Sequence, residues 1–159
     1  MASARLQGPF GRSAGGADPL HRAMFEQHDW EQTPLGPPET WPRQLRFLCD
    51  FLLSSEQPMF LLWGSERAFL FNRAYQAMWR GRTQEGLGHR IQQVAGDNWR
   101  QLEPLVEKVF GGTSFVESNF TIFDQVENQP RYFDLSYTPV RGYDDPAGQA
   151  VAALGLTTD

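Results

Sequence analysis

The chain has 159 residues, of which 40% are apolar, 13% aromatic and 21% charged. That length suits one domain with an arm or tail, and that composition supplies a packed core and excludes wholesale disorder. The net charge of −5, spread without long runs of either sign, argues against a nucleic-acid partner, whose phosphates call for a basic face.

Residues 1–19 are rich in glycine, alanine and serine and read as a flexible N-terminal segment. Residues 20–57 read as an arm. It starts with a short helix from His21 to His28 and continues through the proline-punctuated loop Thr33-Pro34-Leu35-Gly36-Pro37-Pro38. Trp30, Leu35 and Trp41 are costly to leave in water, so the arm is expected to pack on the domain or on a dimer partner. Thr40 is placed to cap a following helix with Pro42 in its first turn. In that helix Leu45, Leu48 and Leu52, together with Phe47 and Phe51, recur at three- and four-residue spacing, leaving it apolar on more than one face.

From Pro58 the period changes, and 58–159 reads as the core domain. Met59 to Trp63 and Ala68 to Phe71 are short strands joined by the hairpin-length turn Gly64-Ser65-Glu66-Arg67. Asn72 is a good cap for a helix from Arg73 to Arg80. Asn98 to Phe110 is a second helix, stopped by Gly111-Gly112. Ser114 to Asp124, Arg131 to Val140 and Gln149 to Thr157 read as strands, the last two joined through the turn Asp144-Asp145-Pro146-Ala147-Gly148. In the second of them Phe133, Leu135 and Tyr137 alternate with polar residues, the mark of one buried face. Strand runs separated by helices indicate an α+β fold with an antiparallel sheet. The longest apolar run, 58–63, is far shorter than the about 20 residues of a bilayer span, and residues 1–10 lack the apolar stretch of a signal peptide. A cytoplasmic location without direct membrane insertion is therefore expected.

At this point the chain resembles a PAS domain. The resemblance rests on Pro58-Met59-Phe60, Phe69-Leu70-Phe71 with Asn72-Arg73-Ala74-Tyr75, Gly86-Leu87-Gly88-His89, the helix ending at Gly111-Gly112, and Tyr132 to Arg141. The stretch from Asp29 to Pro42 is similar to the lead-in of N-terminal PAS domains in bacterial sensor histidine kinases. The resemblance covers roughly 28–159. It implies a PAS-like five-stranded antiparallel sheet in the order 2-1-5-4-3, with short helices on one face and an N-terminal helical arm. It also implies a sensory input role: a small ligand or a partner is held between sheet and helices, and the signal passes to an output domain expected after Asp159, commonly in a homodimer.

Candidate chemistry is weighed on this frame. The light-oxygen-voltage branch of the family bonds flavin through a cysteine after the second strand; here that region has none, and Cys49, which precedes the first strand, reads as a packed helix residue. His89 is a conceivable haem ligand, yet it has no carboxylate partner at readable spacing, so haem is disfavoured. No metal-ligand spacing is found among His21, His28 and the carboxylates. Asp97, Asp124, Asp134 and His89 form no nucleophile–base pair by spacing, and the glycines at 81, 86 and 88 form no phosphate loop. No catalytic and no metal residue is therefore assigned, and the cofactor is left open. Candidate pocket residues are Trp63, Phe71, Tyr75, Trp79, Trp99, Asn119, Phe133 and Tyr137, any of which is also plausible as plain core. Asn119 and Ser136 are candidates to orient a ligand. Alternation does not decide the inner face there, because Phe115, Phe120, Ile122 and Phe123 fall on both phases. Three functions stay in view: a ligand-binding sensor module, a ligand-free dimerisation module and a small stand-alone enzyme.

Overall fold

The computed structural model describes residues 19–79, 86–143 and 148–158. The segment read as flexible (1–19) lies outside them except for Pro19, as do most of the turn at Asp144 and the closing Asp159. Helix α1 spans Pro19–Glu26 and α2 Arg43–Ser54; strands β1 (Met59–Trp63) and β2 (Ala68–Phe71) follow. Then come α3 (Arg73–Met78), α4 (Ile91–Ala95) and α5 (Trp99–Phe110), and the strands β3 (Phe115–Asp124), β4 (Gln129–Arg141) and β5 (Ala150–Thr158). The strands form one antiparallel sheet in the order β2-β1-β5-β4-β3. This is the α+β architecture and the strand order expected above. Helix α4 had no counterpart in that reading, because its five residues are too few to show a period.

Register assigns the faces. Phe60 pairs with Phe71 and Gly155, Leu62 with Phe69, Leu135 with Thr157, and Phe115 with Tyr137, so these residues share one face. Helices α3 and α5 pack on that face. The opposite face carries Met59, Leu61, Trp63 and Leu70. It receives α2, whose Leu45, Leu48, Cys49 and Leu52 are buried. In β3 the register slips between Glu117 and Phe120, and Asn119 adopts φ 53°. That extra residue returns Phe115, Phe120 and Ile122 to one face and leaves Phe123 on the other, which resolves the mixed phase of the sequence.

The arm lies on its own sheet. Trp30 and Trp41 are buried edge to face, with ring centroids 4.8 Å apart. Each indole N–H donates to a backbone carbonyl, Trp30 to Phe25 (2.7 Å) and Trp41 to Gly36 (3.0 Å). The expected cap of α2 is corrected: Pro42 holds the N-cap position, and the Thr40 hydroxyl donates to the Pro37 carbonyl (2.7 Å) inside a 3-10 turn, Pro38–Thr40. The extended backbone at Trp41 turns that indole into the core and starts the helix two residues later than the capping pattern suggests. His28 lies beyond α1, and α3 ends at Met78 rather than Arg80.

Two packing details hold the frame. The Phe60 ring lies over Gly155, where an added Cβ would run into its ring carbons. Asn72 is fully buried. Its Oδ1 accepts from the backbone N–H of Met59 (3.2 Å) and Tyr75 (2.9 Å). Its amide N–H groups donate to the carbonyls of Leu52 (3.3 Å), Ser55 (3.3 Å) and Gln57 (2.8 Å). Gly155→Ala is expected to destabilise the fold by about 3 kcal/mol, at the upper end of overpacking penalties, with Phe60→Leu recovering part of the loss in a double-mutant cycle read by denaturant unfolding. Asn72→Ala strands several buried backbone groups at once and should cost about 3 kcal/mol or more by the same measurement.

Candidate functional site

The aromatic residues that the strands direct toward α3–α5 do not fill the space completely. Two adjoining chambers remain. The inner one, about 40 Å³, is lined by Phe60, Leu62, Tyr75, Val106, Tyr137 and Thr157, among others. The outer one, about 200 Å³, opens to solvent and is lined by Val94, Ala95, Asn98 and Asp124 to Val126. Phe69, Tyr75, Trp79, Ile91, Leu102 and Ile122 border both and form the neck between them.

The walls are built by capping the two sheet edges. On the β3 edge, the Asn98 side chain donates to the Phe123 carbonyl (2.9 Å) and accepts from the Phe123 N–H (3.0 Å). This pair satisfies an edge strand's free backbone groups and docks the start of α5 at the mouth. Asp124 Oδ1 accepts from the N–H groups of Val126 and Glu127 (both 3.0 Å) and shapes the adjoining turn. On the β2 edge, the segment from Gly88 to Ile91 pairs with Arg67 and Phe69 through backbone bonds. Arg131 donates to the Met78 carbonyl (2.7 Å) and stacks over the rings of Trp79 (4.8 Å) and Phe133 (5.0 Å), which sets the Trp79 indole in the neck.

The titratable groups inside are phenols. Burial pushes Tyr75 up to about 12, against smaller opposing effects of Trp79 and Arg131. Burial, with Tyr75 and Glu117 beside it, also pushes Tyr137 up. Both therefore stay neutral. Thr157 is buried, and its hydroxyl oxygen has no hydrogen-bond partner.

Of the eight pocket residues named from sequence, Tyr75, Trp79 and Tyr137 line the chambers. Phe71 and Phe133 are fully buried behind them, against Tyr75 (5.8 Å) and Trp79 (5.3 Å) respectively. Trp63 belongs to the opposite face, where it borders a groove of about 210 Å³ with Trp41 and Leu45. Trp99 donates to Glu103 (2.8 Å) on the outside of α5. Asn119 is exposed in the β3 bulge, where its backbone N–H donates to Asp134 (2.8 Å). Ser136 pairs with Leu156 and shares its outer face. Sequence reasoning missed Thr157, Ile91, Val94 and Leu102. The helical spacing of Leu102 and Val106 was legible, but no local signal marks a buried threonine near a chain end. Cys49 is fully buried in α2, and its thiol is pushed up by burial. His89 lies outside both chambers, its ring 6.5 Å from that of His28.

No family model and no curated protein matches the chain. Solved structures do. The PAS domain from Bordetella pertussis BvgS is 19% identical with a TM-score of 0.56, over 74% of this chain and 87% of that one. The LOV domain from the Erythrobacter litoralis EL346 blue-light activated histidine kinase is 13% identical with a TM-score of 0.50, over 66% and 96%. The N-terminal domain of a diguanylate cyclase with a PAS/PAC sensor from Marinobacter aquaeolei is 13% identical with a TM-score of 0.50, over 65% and 94%. The chain spans 59% of the length of a Rhodobacter sphaeroides LOV protein that it also matches. The chain has the PAS fold. The one cysteine, Cys49, lies in α2 on the far side of the sheet from both chambers.

The arm meets the site wall at Gly86–His89. Gly88, at φ 82°, has no room for a Cβ beside the Trp30 ring. His28 stacks edge-on against Trp30 (4.7 Å), and its Nε2 is buried without a partner. Burial lowers the His28 pKa below 6.5; a bond to the Leu87 backbone opposes this, His89 adds to it, and Asp29 opposes it. The folded state thus favours the neutral ring. The unfolded chain takes up the proton first as pH falls below 6.5, so this contact is fully stabilising above that value and loses stability below it. An NMR titration of His28 should give a midpoint below 6.5, and His28→Gln should flatten the fall of the thermal midpoint between pH 7.5 and 5.5.

Proposed function

We propose that this chain is the sensory input module of a cytoplasmic signal-transduction protein, with a histidine kinase as the output domain beyond Asp159. The fold supports a sensor, and neighbours sharing it come from a histidine kinase and a diguanylate cyclase. The observation that carries the reading is the pair of chambers, because the inner one ends at Thr157, the penultimate residue of β5. A small molecule entering from the mouth therefore touches the strand through which the chain leaves the domain. It shifts the module only so far as it binds two arrangements of that strand unequally. The module is not itself catalytic: the ionisable side chains at the inner chamber are phenols held neutral, far from the near-neutral values that acid–base catalysis favours.

The module works as a homodimer. Phe47 and Phe51 are 62% and 49% exposed, one turn apart on α2, away from its buried leucines. The same surface favours a second reading, a dimerisation module without ligand. Neither reading involves nucleic acid or membrane insertion; among the described residues no helix is long and apolar enough to cross a membrane.

Mass spectrometry of protein purified gently and then denatured separates the two. The sensor reading expects a small molecule released in near-stoichiometric amount from the wild type and lost from Ala95→Trp, which blocks the mouth. A wild type that releases nothing, yet becomes monomeric on Phe47→Asp with Phe51→Asp in analytical ultracentrifugation, overturns it in favour of the dimerisation module.

A further inference from the structure

The inner chamber specifies more than the presence of a ligand. Thr157 is 4% exposed, and its Oγ1 is buried without a hydrogen-bond partner. Buried hydroxyls are ordinarily paired, because stripping water from one without replacement is unfavourable. By register Thr157 shares the inner face with Leu135, and it borders the chamber together with Tyr75 and Tyr137. The remaining lining is hydrocarbon and aromatic ring, apart from the Trp79 indole N–H, which acts on Tyr75.

Among the described residues nothing formally charged lines the inner chamber. Arg131, the cation that acts on Tyr75, is engaged with the Met78 carbonyl and with the rings of Trp79 and Phe133. Glu117 acts on Tyr137 and would oppose an anion placed there. A charged group pushed into this space would lose its water and gain no counter-ion. At the mouth, Asn98 and Asp124 already spend hydrogen bonds on Phe123, Val126 and Glu127. Directional recognition at depth therefore falls to Thr157 and the two phenols.

The neck sets the shape. Phe69, Tyr75 and Trp79 present rings, and Ile91, Leu102 and Ile122 close the other sides. An apolar cavity of about 150 Å³ holds benzene. An outer chamber of about 200 Å³, adjoining 40 Å³ within, suits a body of one or two fused rings.

We propose that the ligand is an uncharged molecule with a flat apolar body lying in the neck and a single hydrogen-bonding tip, a hydroxyl or carbonyl, seated against Thr157. This rests on the reading of the cup as a ligand site. It deepens that reading by assigning the ligand's chemistry and the residue that recognises it. Because Thr157 also donates its backbone N–H to the Pro58 carbonyl (3.2 Å), the tip bears on the point where β5 meets the start of β1.

Three probes of one shape test it at pH 7 by isothermal titration calorimetry: naphthalene, 2-naphthol and the 2-naphthoate anion. The expected result is 2-naphthol binding about five- to tenfold tighter than naphthalene, the scale of one net hydrogen bond, and at least about tenfold tighter than 2-naphthoate. Thr157→Val should abolish the preference for 2-naphthol over naphthalene, and Thr157→Ser, which keeps the hydroxyl, should retain it. Circular dichroism checks that both variants keep the fold. Naphthoate binding as tightly as naphthol overturns the uncharged class. A preference for naphthol that survives in Thr157→Val overturns the tip. If no probe binds while a compound still co-purifies, the proposed class is wrong and the sensor reading stands; if nothing binds and nothing co-purifies, both fall.

Discussion

Five backbone groups from three separate elements converge on the buried amide of Asn72. The last turn of a helix exposes carbonyls, the first turn of the next exposes N–H groups, and the first residue of a strand needs a partner for its own N–H. Here all three situations meet at one buried point. One side chain that both accepts and donates is the economical solution. The consequence is geometric. Helix α2 on one face of the sheet and α3 on the other are referred to the same origin at the start of β1, so the arm and the roof of the cup are parts of one frame.

Within that frame the inner face is a problem of surplus volume. Phe60, Phe69, Phe71, Tyr75, Phe133 and Tyr137 all bear on it, and they pack because the sheet yields space at one place, Gly155 beneath Phe60. What remains unfilled lies at the neck between α3, α4 and α5. A core that was only structural would close such a space with larger aliphatic side chains, since voids are unfavourable. Here the space is bordered by a hydroxyl and two phenols that remain neutral at every pH the protein would meet. The site is therefore a weakly polar pocket within an aromatic core.

The sheet edges and the arm tie this pocket to the rest of the molecule. Asn98 closes the β3 edge and the segment from Gly88 to Ile91 closes the β2 edge, so the two devices that stop the sheet from extending are also the pocket's walls. The arm touches the second wall through Trp30 and His28. Contacts from the arm and from β5 thus bear on one small volume: the arm through its wall, and β5 through Thr157.

The amino-acid order by itself determined the five strands, the longer helices and their succession. The alternation of Phe133, Leu135 and Tyr137 marks a one-sided strand, Asn72 before a helical run marks a cap, and Trp30 and Trp41 in a proline-rich loop mark an arm that must be covered. It also supplied Tyr75, Trp79 and Tyr137 as pocket residues, since aromatics on both roof and floor of a cup must meet. Tertiary structure alone decided the rest. Alternation says which residues share a face and is silent on which face is inside, so Trp63 falls on the arm's side of the sheet and Ser136 on the outer face. A bulge costs one residue and inverts the phase after it, which is how Phe115 and Ile122 come to share a wall. Thr157 looks like any strand threonine until Tyr75, Leu102 and Tyr137 are brought over it from up to about eighty residues away, because burial belongs to the contacts a fold assembles and not to the residue that receives them.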